Sequence, residues 1–206
     1  MRLPSNDAKV DDVSLPEVRM IGAVFLDRDG VLIEDREDYV KCWDEVRFIP
    51  NVYGALRRLT EAGLPLVIVT NQAAVGRGIV SQEFVVETHS RMISVLEARG
   101  ARIAGAYFCP HHPDAGCTCR KPLPGLLYLA AADHGFVLAN SIMVGDSLRD
   151  IAAVEAVGGR GILVRTGKGE SESARLAAGE GLAVSPLATV CDIGEAADLI
   201  LDRVSS

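Results

Sequence analysis

Ile21-Gly22-Ala23-Val24-Phe25-Leu26-Asp27-Arg28-Asp29-Gly30 is an apolar run that ends in two carboxylates with a glycine behind them. An apolar run without polar alternation is the pattern of a strand covered on both faces of a parallel sheet. In doubly wound α/β sheets, ligands bind beyond the carboxyl ends of the strands, so a strand finishing in acids aims them into the crevice. Alternation sends Asp27 and Asp29 to roughly the same side. Two like charges that close repel strongly in a low-dielectric crevice, so they require a shared cation, a proton or an incoming electrophile. Mg²⁺ is the simplest of these. Taken alone, Asp-x-Asp after a strand is also an ordinary surface turn.

Further apolar runs at Leu66 to Val69, Ile103 to Phe108, Ser141 to Val144 and Gly161 to Val164 read as buried parallel strands, with Ala23 to Leu26 as the first. Helix-length segments separate them: Val52 to Ala62, Gln82 to Arg99, Gly125 to His134 and Leu148 to Val157, with Ser81 and Pro50-Asn51 as starts and Gly63, Gly100, Gly135 and Gly158 as stops. A last helix fits Ile193 to Val204, and a short one fits Ser171 to Ala178 inside a Gly-, Glu- and Ser-rich surface segment. The expectation is an α/β fold: a doubly wound, mainly parallel sheet with helices on both faces, residues 20–206 forming one domain behind a polar arm at 1–19. No long insertion falls between Gly30 and Val52 or between Asn71 and Ile103, so a large cap domain has no room.

With 206 residues, 49% of them hydrophobic, one domain can bury a substantial core without staples. The net charge of −7 leaves no broad basic field for nucleic acid or an anionic membrane, so any phosphate must be bound locally. No apolar stretch approaches the ~20 residues that cross a bilayer, and Met1 to Met20 lacks a signal peptide's apolar middle. The expected compartment is the cytoplasm. There, five cysteines argue against a disulfide framework, and Cys42 and Cys191 are expected as buried thiols.

Three more positions at or near strand ends carry polar clusters. Thr70-Asn71-Gln72 offers a hydroxyl and two amides to phosphate oxygens, although Thr-Asn is also a common turn. Arg120-Lys121 places two cations before a helix starting near Pro124. Gly145-Asp146-Ser147 offers a hard oxygen ligand for Mg²⁺, with Asp150 a helical step on; as a helix N-cap, Asp146 would need no function. Separately, Cys109-Pro110-His111 and Cys117-Thr118-Cys119 flank a five-residue loop, and three thiolates with one imidazole are the ligand set of a closed, tetrahedral structural Zn²⁺. His112 is the competing imidazole. A loop at 109–119 feeding straight into Arg120-Lys121 suggests that zinc fixes the basic pair.

Taken in order, acid pair, Thr-Asn, Lys and Gly-Asp resemble the four motifs of the haloacid dehalogenase superfamily of phosphatases, over roughly Ala23 to Lys168. The resemblance implies that Asp27 is the nucleophile and forms an aspartyl-phosphate, while Asp29 protonates the leaving alkoxide and then activates water. It puts Mg²⁺ on Asp27, the Asp29 carbonyl and Asp146, with Asp150 supporting, and equatorial phosphate oxygens on Thr70 and Lys121. Asn71 would fix the acid's loop or a phosphate oxygen. The zinc loop narrows the likeness to D-glycero-D-manno-heptose 1,7-bisphosphate 7-phosphatases and histidinol-phosphate phosphatases. Asp38-Tyr39-Val40, Phe48-Ile49-Pro50, Thr70-Asn71-Gln72 through Arg77-Gly78, Cys109 to Pro113 and Val164-Arg165-Thr166-Gly167-Lys168 are similar to the heptose family. The five-residue interval between His111 and Cys117 is short, as in the histidinol-phosphate enzymes, and Ala73 and Ser147 stand where a small hydroxyl residue and Lys are frequent. Arg77 and Arg120 are the candidates for a second phosphate, whereas Asp35, Glu37 and Asp38 could meet an amine. The expected partner is a small phosphorylated sugar, with no nucleic acid or membrane and the chain a monomer. A different class, a non-catalytic phosphoacceptor or binding protein, would have no use for Asp29.

Overall fold

The computed structural model describes residues 22–204; the expected arm at 1–19 lies outside the described residues. Strands β1 (Val24–Leu26), β2 (Leu66–Asn71), β3 (Ile103–Cys109), β4 (Ile142–Gly145), β5 (Arg160–Val164) and β6 (Ala188–Val190) form one sheet. Their spatial order is β3-β2-β1-β4-β5-β6, and every pairing is parallel. The chain winds outward from β1 to β3, returns to lay β4 beside β1, and winds outward the other way. Crossovers diverge between β1 and β4, and a crevice opens there at the carboxyl ends.

Helices α1 (Val52–Glu61), α2 (Ala73–Gly76), α3 (Gln82–Glu97), α4 (Gly125–His134), α5 (Leu148–Glu155), α6 (Gly169–Ala177) and α7 (Ile193–Val204) make the connections. Strand alternation divides the core in two. Val24, Leu26, Leu66, Ile68, Val144, Ile162 and Val164 pack with Leu56 and Leu59 of α1, Met92 and Leu96 of α3 and Ile200 of α7. Phe25, Val67, Val69 and Met143 pack instead with Leu126 and Leu127 of α4 and Ala153 and Val154 of α5. Covering both faces is what lets these strands be apolar throughout. Ser81 caps α3 as expected, its hydroxyl accepting from the Phe84 N–H at 3.1 Å.

The fold departs from the expectations in small ways. β6 is additional, because Ala188-Thr189-Val190 is too short to carry a period and is defined by its pairing with Ile162 to Val164. The four-residue α2 is likewise too short to carry a helical period. Cys42 and Cys191 are exposed rather than buried: one precedes a 3-10 turn at Trp43–Glu45, the other follows the edge strand β6. The β1–α1 connection holds that turn and isolated bridges from Ile33 to Asp29 and Phe48, with Val31, Leu32 and Ile33 fully buried. It is strapped to the core and forms no cap domain. No helix among the described residues is long and apolar enough to cross a membrane.

Leu56 is inaccessible to solvent in the middle of the α1 interface. Leu56→Ala is expected to cost about 2–5 kcal/mol of unfolding free energy, read from a urea-denaturation midpoint.

Candidate active site

β1, β2 and β4 end at the switch point, and each delivers polar groups there. Asp27 follows β1, Thr70 and Asn71 close β2, and Asp146 follows β4. Lys121 arrives from the loop before α4, and its buried ammonium lies 3.1 Å from Asp27 Oδ1, 2.5 Å from Asp150 Oδ1 and 2.7 Å from the Val69 carbonyl oxygen. Its three donors are thus matched by three acceptors. The Arg28 N–H also donates to Asp27 Oδ1, at 2.7 Å, which presets the rotation of that carboxylate. Asp146 is not a helix cap. Ser147 takes that place in a capping box with Asp150, whose Oδ2 accepts from the Ser147 N–H at 3.1 Å. Asp150 therefore braces Lys121 and the start of α5 together.

Carboxylates of Asp27, Asp146 and Asp150 come within 4.8 Å of one another. Burial, with the charges of Asp150 and Asp29 and against that of Lys121, pushes Asp27 up to about 6. Burial and the charges of Asp27 and Asp150 push Asp146 up to about 8. One ammonium does not balance this much negative charge, and hard oxygens in excess of local cations are what a Mg²⁺ site requires. The backbone leaves room only because residue 30 is glycine: φ is 78°, and a Cβ there would overlap Asp146 Oδ2. Behind Asp146, the Lys168 N–H donates to its Oδ2 at 2.9 Å, the Lys168 ammonium pairs with Asp35 at 3.0 Å, and the Thr166 hydroxyl donates to the Gly30 carbonyl at 2.6 Å.

Asp29 is held differently. Arg28 grips it as a fork, Nη2 to Oδ1 at 2.9 Å and Nε to Oδ2 at 3.1 Å, and the Gln72 amide donates to Oδ2 at 2.9 Å. Burial alone would raise its pKa, but the Arg28 guanidinium and these hydrogen bonds hold the carboxyl below its usual range. Adjacent acids thus differ: Asp27 is disfavoured as an anion and Asp29 favoured. Gln72 also donates to the Thr70 hydroxyl at 3.0 Å. Asn71 exchanges two 3.1 Å bonds with the backbone of Lys121, so its amide holds the lysine's loop and not the acid's. Arg28 and His89 behind it went unread in the sequence, because an Arg between two acids reads as a solvated charge and a lone His on a helix as packing.

The cavity over these groups has a volume of about 820 Å³. Thr70, Asn71, Gln72, Arg77, Arg120 and Lys121 all line it, and Arg149 and Lys168 add further positive charge. Arg77 is exposed at the rim. Nη1 of Arg120 is buried without a hydrogen-bond partner.

The second cluster is complete. Cys109 Sγ lies 3.5 Å from Cys117 Sγ and 3.2 Å from Cys119 Sγ, and His111 Nδ1 lies 3.5 and 3.2 Å from the sulfurs of Cys109 and Cys119. Zn–S bonds of ~2.3 Å span tetrahedral edges of roughly 3.8 Å, so these four groups fit one Zn²⁺ with little adjustment. His112 is turned out of the cluster, its Nδ1 accepting from the Asp114 N–H at 3.3 Å. Burial and the neighbouring thiols push Cys119 up to about 12, the cost of gathering three sulfurs without a cation. Gly76 of α2 lets the loop dock, since a Cβ there would overlap the backbone of His111 and His112.

A doubly wound sheet whose switch point carries an acid pair, a buried lysine and a third acid is the architecture of an aspartate-based phosphotransfer site. The family model described as HAD-hydrolase-like matches residues 118–192. The chain is 40% identical over 147 residues to the D-glycero-beta-D-manno-heptose-1,7-bisphosphate 7-phosphatase of Neisseria meningitidis, covering 71% of this chain and 79% of that protein. It is 44% identical over 156 residues to the Yersinia pestis protein of the same name, covering 72% and 82%. The crystal structure of D,D-heptose 1,7-bisphosphate phosphatase from B. bronchiseptica with magnesium and phosphate superposes with a TM-score of 0.80 at 35% identity, covering 89% of this chain and 99% of that one. The chain belongs to the heptose 1,7-bisphosphate 7-phosphatase family of haloacid-dehalogenase-like hydrolases.

Asp146 has its folded pKa raised, so in the metal-free protein it subtracts stability as pH rises from its unfolded value near 3.8 through about 8. Asp146→Asn is expected to raise the metal-free Tm, by an increment that grows between pH 4 and pH 8 in thermal scans. Mg²⁺ is expected to stabilise the parent protein and not the variant. Cys117→Ser is expected to reduce bound zinc from one per chain and to lower the Tm, read by metal analysis and calorimetry.

Proposed function

We propose that this protein is a Mg²⁺-dependent phosphomonoesterase that removes the 7-phosphate of D-glycero-D-manno-heptose 1,7-bisphosphate through an aspartyl-phosphate on Asp27, in the making of nucleotide-activated heptose. The observation that carries the reading is the meeting of Asp27, Asp29, Thr70, Lys121 and Asp146 around one cavity. In the first half-reaction, an Asp27 carboxylate oxygen attacks phosphorus, the ester P–O bond breaks, and Asp29, an anion in the free protein, passes to the departing sugar oxygen the proton it takes up as the phosphate charge enters beside it. In the second, Asp29 takes a proton from water as that water attacks phosphorus, and Asp27 and inorganic phosphate are released. The Thr70 hydroxyl and Lys121, whose bond to Asp27 Oδ1 is the one it would give up to substrate, hold the equatorial oxygens where charge is greatest in the transition state. A bound Mg²⁺, held by Asp27, Asp146 and the Asp29 carbonyl, would neutralise phosphate charge facing these acids. The zinc cluster has four protein ligands and so is structural.

Charge around the cavity favours a bisphosphate over an aminoalkyl phosphate. Among the described residues, Arg77, Arg120 and Arg149 line the cavity with no carboxylate within salt-bridge distance, while of the outer carboxylates Asp35 and Glu172 are already paired with Lys168 and Arg175 and Glu37 alone has no ion pair. Three uncommitted guanidinium groups suit a second phosphate and would repel the ammonium of histidinol phosphate. We place the protein in the cytoplasm as a monomer; a cluster of three free thiols held for metal is compatible with a reducing compartment.

Asp27→Asn is expected to lower turnover of heptose 1,7-bisphosphate on the order of 10³-fold or more while leaving the Tm within a few degrees; substantial residual turnover would exclude the covalent route. Rates on both anomers of heptose 1,7-bisphosphate, histidinol phosphate and fructose 1,6-bisphosphate are expected to rank a heptose bisphosphate first in kcat/KM. A higher kcat/KM for histidinol phosphate would overturn the substrate assignment and leave the chemistry intact.

A further inference from the structure

Resting on the phosphatase reading above, we infer that His89 is a positioning residue for this reaction, acting through Arg28 to hold the Asp29 carboxylate where the leaving oxygen departs. His89 sits on α3, is 4% exposed, and does not line the cavity. Its Nε2 lies 3.5 Å from Nη1 of Arg28. A guanidinium can only donate, so Nε2 must present its lone pair and the ring proton must be on Nδ1. Phe108 of β3 sets the ring edge-on, with centroids 5.5 Å apart and planes at 77°.

Arg28 is itself 4% exposed, and among the described residues its side chain bonds to Asp29 and His89 alone. The guanidinium is planar and rigid. Fixing one edge against His89 therefore fixes the plane of the fork on the other edge, and the Asp29 carboxylate follows, with Gln72 as its second support. Val85, Met92 and Leu96 share the buried face of α3 with His89, where an apolar residue would serve packing alone. What the imidazole adds is an acceptor at the reach Arg28 requires.

The role is separable from a packing role by the leaving group. A misplaced Asp29 impairs proton delivery to a sugar alkoxide, which needs it, more than departure of p-nitrophenolate, which does not. The measured quantity is kcat/KM, because it ends at the first irreversible step and excludes the later hydrolysis common to all substrates. His89→Asn, whose amide oxygen stops short of Arg28, is expected to lower kcat/KM for heptose 1,7-bisphosphate about tenfold and for p-nitrophenyl phosphate less than about threefold. His89→Gln, whose oxygen reaches the Nε2 position, is expected to restore most of the loss. His89→Leu, which keeps the packing, reads the same ratio if His89→Asn folds poorly. An equal fall on both substrates, no fall on either, or no difference between Gln and Asn overturns the inference. Asp29→Ala is the control: if it discriminates between the substrates and the His89 variants do not, the inference alone fails. If Asp29→Ala lowers both alike, the acid assignment fails and takes the inference with it.

Discussion

A single buried ammonium holds this site together. Lys121 stands among Asp27, Asp150 and the Val69 carbonyl, at the point where the β1, β2 and β4 ends bring acids that would otherwise repel. Burial lowers a lysine's pKa, yet Asp150 and Asp27 outweigh it and Lys121 is raised. Its charge is therefore permanent at any physiological pH. Removing the lysine from such a group strands the acids as uncompensated buried charges, so the acids, the lysine and the start of α5 form one electrostatic unit.

Much of the surrounding architecture keeps that ammonium in place. Asn71 at the end of β2 pairs with both backbone groups of Lys121, and Cys119 of the sulfur cluster lies two residues before it in the chain. The loop from Cys109 to Cys119 leaves β3 and docks against α2 at Gly76, so one metal-ready crosslink spans the end of β3 and the approach to α4. A lysine on an unsupported loop would cost rotamer entropy at every turnover; here its backbone is fixed from two sides. The short α2 also makes sense in this setting, as a rest for the sulfur loop.

Asp29 and Asp27 show how two neighbouring carboxyls acquire opposite tendencies. Asp27 faces other acids and is pushed toward the neutral form, whereas Asp29 is gripped by Arg28 and Gln72 and pushed toward the anion. His89 remains neutral, lowered to about 3 by burial and by the Arg28 charge, which is the state an acceptor for a guanidinium must have. Through this buried chain, a helix that packs on the sheet reaches a carboxylate in the cavity.

Element types and the chemistry of the strand ends were readable from the chain, since apolar runs at strand length, Ser81 before α3 and the spacing of Cys109, His111, Cys117 and Cys119 are local patterns with local causes. Local pattern ceases to inform where partners are remote. β6 exists only by pairing with β5, Asp146 escapes a capping role only because Ser147 takes it, and Asn71 faces Lys121 rather than the acid's loop across 50 residues of chain. Arg28 between two acids looks solvated in one dimension. In three it is buried, because His89, 61 residues away, is brought to its edge by the packing of α3 on β3. Residue type and spacing picked out groups that meet at the crevice and in the sulfur cluster; their partners and charge states were set by burial and by distances that arise only once the sheet has closed.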